Sequence, residues 1–387
     1  MKKTITIIDA ENRVYLDSLD LKNFVVTDAT KIPFRVVKKR LHGGVQEGVD
    51  IVEIEAGHFR FTVLLTRAMN VLSASYKDLE LKWDSPVNGP VHPNYVPIYA
   101  PNGCGWLEGF CEWIARCGLE SNGAPEFDAN GALKYPLHGR LSNLPARKVE
   151  LLIDDQSGEI LLSGETLETS VFGHRFLFKT TYTIKVGASK LLVHDTVTNL
   201  ASVADEFELL YHINTGYPLI TPGAHFYAAF EKMCPRDNNA VAELKEWDVY
   251  TQPIPGRPET CYLFDLAANE QGKTSVVLLD KSGNRGFTLS FNKKEFPFFT
   301  LWKTQRPNGD IYVTGVEPAI NFPNTRSFEK KNGRVMPIAS GETKSFSLEF
   351  DFMNDKEHTT LALDAIRQLQ EKASRKIITT PLPEWCE

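Results

Sequence analysis

Long apolar runs are missing from this 387-residue chain. None approaches the roughly 20 residues that a helix needs to cross a bilayer, so no membrane-spanning helix and no membrane partner are expected. The stretch from Met1 to Asp9 holds two lysines and a short alternating apolar run. It is too short for the apolar core of a signal peptide and is expected to form a strand. A basic stripe is missing too. The formal net charge is −6, whereas a nucleic-acid binder shows a basic face, so nucleic acid is excluded as a partner. The one dense cationic run, Arg35 to Arg40, is expected as a solvated loop or sheet edge. Cysteines number six, none in a CxxC pair, and Cys104, Cys111 and Cys117 lack zinc-ribbon spacing. Such thiols fit a cytoplasmic protein in which they stay reduced. Internal repeats, low-complexity tracts and linkers are absent as well.

What is present is strand signal. The 23 Phe, 12 Tyr and 6 Trp suit half-buried pleated surfaces. From Val49 the pattern alternates: Ile51 to Glu55 mixes apolar and acidic residues, and Phe59, Phe61, Val63 and Leu65 share one face. Three stretches have the form strand, turn, strand: 150–154 with 159–163, 176–186 with 190–197, and 275–279 with 287–291. Residues 343–352 are a further strand. Residues 84–106 are rich in Pro and Gly and are expected as a binding loop. Residues 106–117 fit neither the helical nor the strand period. Helix is expected only near the C-terminus, over 355–375, with Leu361, Ala365, Ile366 and Leu369 as its apolar stripe. These patterns predict an all-β fold, a large antiparallel β-sandwich with few short helices. The chain is expected to form a single domain over 1–387, with residues 1–45 as an appendage of short strands.

Three segments concentrate chemistry. In Tyr211-His212-Ile213-Asn214-Thr215-Gly216, a strand-like run delivers a histidine to its expected end, before a Gly-Pro turn. An imidazole titrates near neutrality and can give or take a proton there. His138 precedes Gly139, and Arg140 can fork two hydrogen bonds to a hydroxyl pair or a carboxylate. Glu317, in an apolar strand, is costly to bury without a partner. Burial would raise its pKa and a nearby cation would lower it. Each residue also has a structural reading: a bonded core histidine beside a structural arginine, or a salt-bridged strand terminus. The functional reading is that all three converge on one small polar ligand. His92, in the Pro-rich loop, is a candidate for the rim. The remaining histidines, 42, 58, 174, 194, 225 and 358, lack such a setting and are expected to be structural or exposed.

Leu137-His138-Gly139, Tyr211-His212 with its following Asn-Thr-Gly, and Val316-Glu317-Pro318 resemble motifs of the aldose 1-epimerase (galactose mutarotase) superfamily, in the same chain order. A narrower resemblance is to a mutarotase-like branch. It is carried by Arg116-Cys-Gly-Leu119, Asn122-Gly123, Leu137 to Ala146, and Asp195 to Asn199, and it spans about residues 50–352. The resemblance implies a β-supersandwich with one sugar pocket, a free sugar as partner, no metal or cofactor, and a monomer or homodimer. It implies that Glu317 takes the anomeric O1 proton, His212 protonates the ring O5, and His138 holds O5 or a neighbouring hydroxyl. Arg116 or Arg140 would replace the family's substrate-binding arginine. Asp237 is the one candidate for its acidic sugar ligand, and Asn214, His92 and Trp302 are further candidates for substrate contact. Trp302 would stack on a sugar face or serve as a core aromatic. The chain departs from the family in lacking an Asn-rich segment before the first motif. It departs again after His212, where the usual aromatic and Asn pattern is replaced.

Rival readings stay open on sequence. Two histidines and a glutamate can hold a metal, as in a metal-dependent sugar isomerase, although the close His spacing that preorganises such sites is missing. A glycosidase needs two facing carboxylates, and only Glu317 stands out. A sugar-binding or sugar-sensing protein needs the pocket without the acid and base.

Overall fold

Period-two alternation sets the architecture. In the computed structural model, which describes residues 2–27 and 30–387, almost every strand pairs antiparallel, in one sheet of 10 strands and one of 14. Met1, where the first expected strand opens, lies outside the described residues. The two sheets share one core. Phe59 of the larger sheet stacks on Phe352 of the smaller at 4.7 Å between ring centroids, and Trp113 meets Phe350 at 5.0 Å. In the smaller sheet, Glu159–Thr169 and Arg175–Lys185 bury every second residue and leave the others part-exposed. All three expected hairpins form. The first turns at Gly158, whose N–H bonds to the Asp154 carbonyl at 2.9 Å with φ of 75°, a left-handed conformation that glycine adopts without strain.

Six strands of the larger sheet carry the site: β1 (Ile114–Leu119), β2 (Asp205–Gly216), β3 (Phe230–Pro235), β4 (Thr260–Leu266), β5 (Phe298–Gln305) and β6 (Tyr312–Ala319). Their order in space is β3-β4-β5-β6-β2-β1. In β2, Phe207, Leu209, Tyr211 and Ile213 join the core between the sheets. Leu210 points the other way, into a second apolar cluster with Trp83, Trp106, Phe110, Ala115 and Cys117. His212 and Asn214 follow Leu210 at period two and share that outer face. Residues Phe207 to Gly216 are buried throughout, because aromatic loop residues cover this part of the sheet.

Several expectations need revision. β2 does not stop at His212 but runs on to Gly216, so the histidine stands on the face of the sheet and not at a strand end. Residues 1–45 do not stand apart: Lys2–Asp9 pairs with Ala146–Asp154, and Thr30–Arg40 with Asp50–Ala56. The cationic run lies in that second strand, and Lys38 is buried with Nζ 2.9 Å from Asp50 Oδ1. The ambiguous segment after residue 104 divides into a short 3-10 turn, Gly105–Gly109, and the strand β1. The C-terminal helix is Lys356–Gln370, capped by Asp355, whose side chain accepts from the His358 N–H at 2.8 Å. Its packed stripe is Ala362, Ile366 and Leu369, set against Val277, Leu279 and Met353. Leu361 and Ala365 face solvent. Among the described residues, no helix is long and apolar enough to cross a membrane.

Candidate active site

Strand register brings two of the expected residues face to face. β2 and β6 pair Leu210 with Ala319 and Ile213 with Val316, which sets His212 opposite Glu317. The Nε2 atom of His212 lies 3.2 Å from Oε1 of Glu317. The approach is close without being aligned as a hydrogen bond, so Oε1 has no bonded partner among the described residues. His138 arrives from the loop after Tyr135, and its ring centroid is 5.5 Å from that of His212. Trp106 lies edge-on to His138 at 4.5 Å, Phe110 to His212 at 4.9 Å, and Trp302 to His212 at 5.4 Å. His212 keeps 5% and Glu317 2% of its surface exposed, while His138 and Trp302 are half-buried at the rim. Small residues make the floor. A Cβ added at Gly315 would fall 2.3 Å from Glu317 Oε1 and 3.0 Å from His212 Cε1.

Hydrogen bonds fix where the protons sit. Asn214 Nδ2 donates to the Glu112 and His212 carbonyls at 3.0 Å each, so its Oδ1 is the atom turned to His212 Nδ1. The Nδ1 of His212 therefore carries a hydrogen, and Nε2 offers a lone pair toward Glu317. His138 Nδ1 donates to the Asn122 carbonyl at 2.8 Å, which leaves its Nε2 as an acceptor as well. Burial shapes the charges. It pushes His138 down to about 4, helped by the Arg236 charge and opposed by the Asn122 bond. Burial also brings His212 to about 3, with His138 adding to the effect. For Glu317, burial raises the carboxyl well above its usual range, and the Arg236 guanidinium acts against that rise. Burial thus disfavours charge on both members of the pair, the imidazole and the carboxyl.

Other expected contacts lie elsewhere. Arg116 points into the core, because its strand neighbours Ala115 and Cys117 take the outer face. All five of its N–H donors are used, on Asp195, Thr180, Tyr182 and the Met69 carbonyl, so it cannot reach a sugar at the site. Arg140 turns to Tyr99, Glu168 and Glu120. That group includes His174, pushed up to about 9 because the two carboxylates outweigh the effect of burial. Glu120, Glu168 and His174 are close enough to hold a metal ion, but the charged imidazole, 3.2 Å from Glu168 and 3.5 Å from Glu120, already supplies the carboxylates with a cation. His92 caps a turn, accepting from the Asn94 N–H at 3.2 Å. Asp237 is exposed and caps the helix Asn238–Ala242 through the Ala240 N–H at 2.9 Å. Asn214 is wholly buried and spends its amide on positioning His212.

Sequence reading missed Phe110, Trp106 and Arg236. Trp106 was hidden in the segment without a period; its indole N–H is buried without a partner among the described residues. Arg236 stands beside the favoured Asp237. Its backbone N–H bonds to the Cys261 carbonyl at 2.9 Å, and its guanidinium lies against the Cys261 thiol. Cys261 pairs with Trp302, Trp302 with Gly315, and Gly315 with Asn214, so one row across the sheet joins Arg236 to the site.

A family profile described as a domain of unknown function, DUF4432, matches residues 46–352. The chain belongs to the DUF4432 family. The crystal structure of a "putative aldose 1-epimerase" from Klebsiella pneumoniae is 30% identical, covers 99% of both chains and superposes with a TM-score of 0.93. A galactose mutarotase-like protein from Clostridium acetobutylicum is 17% identical over 82% of this chain and 98% of its own, with a TM-score of 0.55. A galactose mutarotase related enzyme from Lactobacillus acidophilus is 12% identical over 79% and 98%, with a TM-score of 0.50. The last two show the fold alone, and the DUF4432 chain has the galactose mutarotase-like β-sandwich. No curated protein matches it.

Proposed function

We propose that this DUF4432 protein is an isomerase that interconverts the α and β anomers of a free sugar by opening and reclosing its ring. The observation that carries the reading is the 3.2 Å approach of His212 Nε2 to Glu317 Oε1, with His138 beside the pair. Ring opening needs a base on the anomeric hydroxyl and an acid on the ring oxygen. A pair holding one proton supplies both, whichever partner holds it first.

Proton transfer across the contact makes Glu317 the carboxylate and His212 the acid. Glu317 takes the O1 proton, His212 delivers one to O5, the C1–O5 bond breaks and C1 becomes an aldehyde. Rotation about C1–C2 and the reverse transfers close the ring on either face, and the pair ends as it began. The unprotonated Nε2 of His138 accepts from a neighbouring sugar hydroxyl, while Trp106, Phe110 and Trp302 exclude water. Each positioned proton transfer contributes about 10²–10⁴ in rate. Exchange NMR of anomer interconversion over pentoses, hexoses, deoxy sugars and uronates tests the reading, with acceleration expected for at least one sugar. Folded protein that accelerates none of them would leave a sugar-binding protein without turnover.

A further inference from the structure

Several interior cations of this protein are matched by anions or carbonyls. Arg116 has Asp195, Arg67 has Glu112, Lys38 has Asp50 and Arg334 has Glu329. Lys303 donates to three carbonyls. Arg140 and Arg236 are half-buried and form no salt bridge among the described residues, and of the two only Arg236 lies on the sheet row that reaches the site. The carboxylates nearest in effect, Glu259 and Asp237, are both exposed. Each is engaged: Glu259 accepts from the Trp302 indole at 2.8 Å, and Asp237 caps its helix. Meanwhile burial disfavours charge on His138, His212 and Glu317. The guanidinium thus stands beside the site with no carboxylate ion-paired to it among the described residues, and a bound anion would complete it.

Arg236 is also well placed to hold the far end of a ligand. Its neighbour Cys261 lies on β4, two strands from the β6 that carries Glu317, or about 10 Å at ordinary strand spacing. A monosaccharide bridges that span, with its anomeric end at Glu317 and His212 and a substituent at the guanidinium. We propose that Arg236 is a specificity-determining residue, and that the preferred substrate is a sugar bearing one anionic group, a carboxylate or a phosphate, which Arg236 binds. This rests on the proposed anomer exchange for its kinetic form but not for its binding form.

The test compares galacturonate with galactose, and glucose 6-phosphate with glucose, in wild type and in Arg236→Gln. Exchange NMR gives kcat/KM, and quenching of tryptophan fluorescence gives binding, since Trp106 and Trp302 line the recess. One anionic sugar is expected to exceed its neutral parent by about tenfold or more in one or both readouts, and Arg236→Gln is expected to shrink that ratio toward one. The pair that shows the ratio tells carboxylate from phosphate. Equal or better use of the neutral parents would overturn the proposal, as would a preference that survives Arg236→Gln in a variant whose melting shows it folded. If no sugar is turned over, Arg236-dependent binding of an anionic sugar keeps this inference and removes the anomer-exchange reading, and absence of such binding overturns the inference.

Discussion

Tyr211 and His212 are neighbours in one strand and belong to two opposite kinds of polar burial. Tyr211 faces the core, where its hydroxyl donates to Asp195 at 2.5 Å inside a network with Arg116, Thr180 and Tyr182. Every donor of that guanidinium is paired with an acceptor. His212 faces outward into a cluster where, among the described residues, Glu317 Oε1 and the Trp106 indole lack bonded partners and the cation of Arg236 lacks a salt bridge. Both groups are removed from water, so both carry desolvation costs. The inner one offsets that cost with bonds inside the fold; the outer one leaves it open. Here the complete inner network joins the two sheets, whereas the incomplete outer one stands where we propose that a ligand and its protons belong.

Breaking the inner network should cost stability and little else. Arg116→Met leaves Asp195 as an uncompensated buried charge, and a loss of about 3–5 kcal/mol is expected in urea unfolding, with anomer exchange kept by the molecules that stay folded. A loss under about 1 kcal/mol would mean that the network is not structural. On the outer face, Gly315→Ala puts a methyl where the Glu317 carboxyl now lies. Exchange is expected to fall roughly 10–10²-fold with stability nearly unchanged, because small misplacements of reacting groups are costly. Unchanged exchange would show that the carboxyl's position is immaterial.

Acid sharpens the contrast least but most simply. His138 and His212, at about 4 and about 3, lie below the usual histidine value of 6.5. As pH falls below 6.5 the unfolded chain binds protons that the folded chain excludes, so stability declines toward pH 4. Replacing each of these histidines by Asn should remove about one proton from that slope, measured as unfolding free energy at pH 7 and pH 5. His174, at about 9, has the opposite sign: its stabilisation is full below 6.5 and is lost as pH rises through about 9. A His174→Asn variant should lose stability at pH 6 and much less at pH 10. An acid slope indifferent to His138 and His212 would mean that neither is held neutral by the fold.

Hairpins such as 150–163 were legible because one face meets the core and the other meets water, so hydrophobicity alternates along the chain. That signal vanishes where both faces are covered. Ile114 to Leu119 is buried at every position, and nothing in its composition shows that Arg116 points inward while its neighbours point out. The same loss made Asn214-Thr215-Gly216 resemble a turn, although the strand continues through it. That His138, His212 and Glu317 lie together was legible from three short motifs in chain order. Arg236 was not, because its place depends on a hydrogen bond to Cys261, which no local pattern records; the acidic neighbour Asp237 drew attention and proved to be a helix cap. On the C-terminal helix, Ile366 and Leu369 face the core as expected, but Ala362 takes the place given to Leu361, which apolar content alone did not resolve.

The central claim is that Glu317 is kept in its buried, unbonded state for proton transfer and not for stability. It is tested most directly by measuring anomer exchange and thermal melting on the same preparation of Glu317→Gln, with the best sugar of the panel. Exchange should fall by about 10² or more while the melting temperature holds or rises, since a neutral amide replaces a buried acid without a bonded partner on Oε1. Exchange that survives the substitution, or that is lost only in step with the fold, would contradict it.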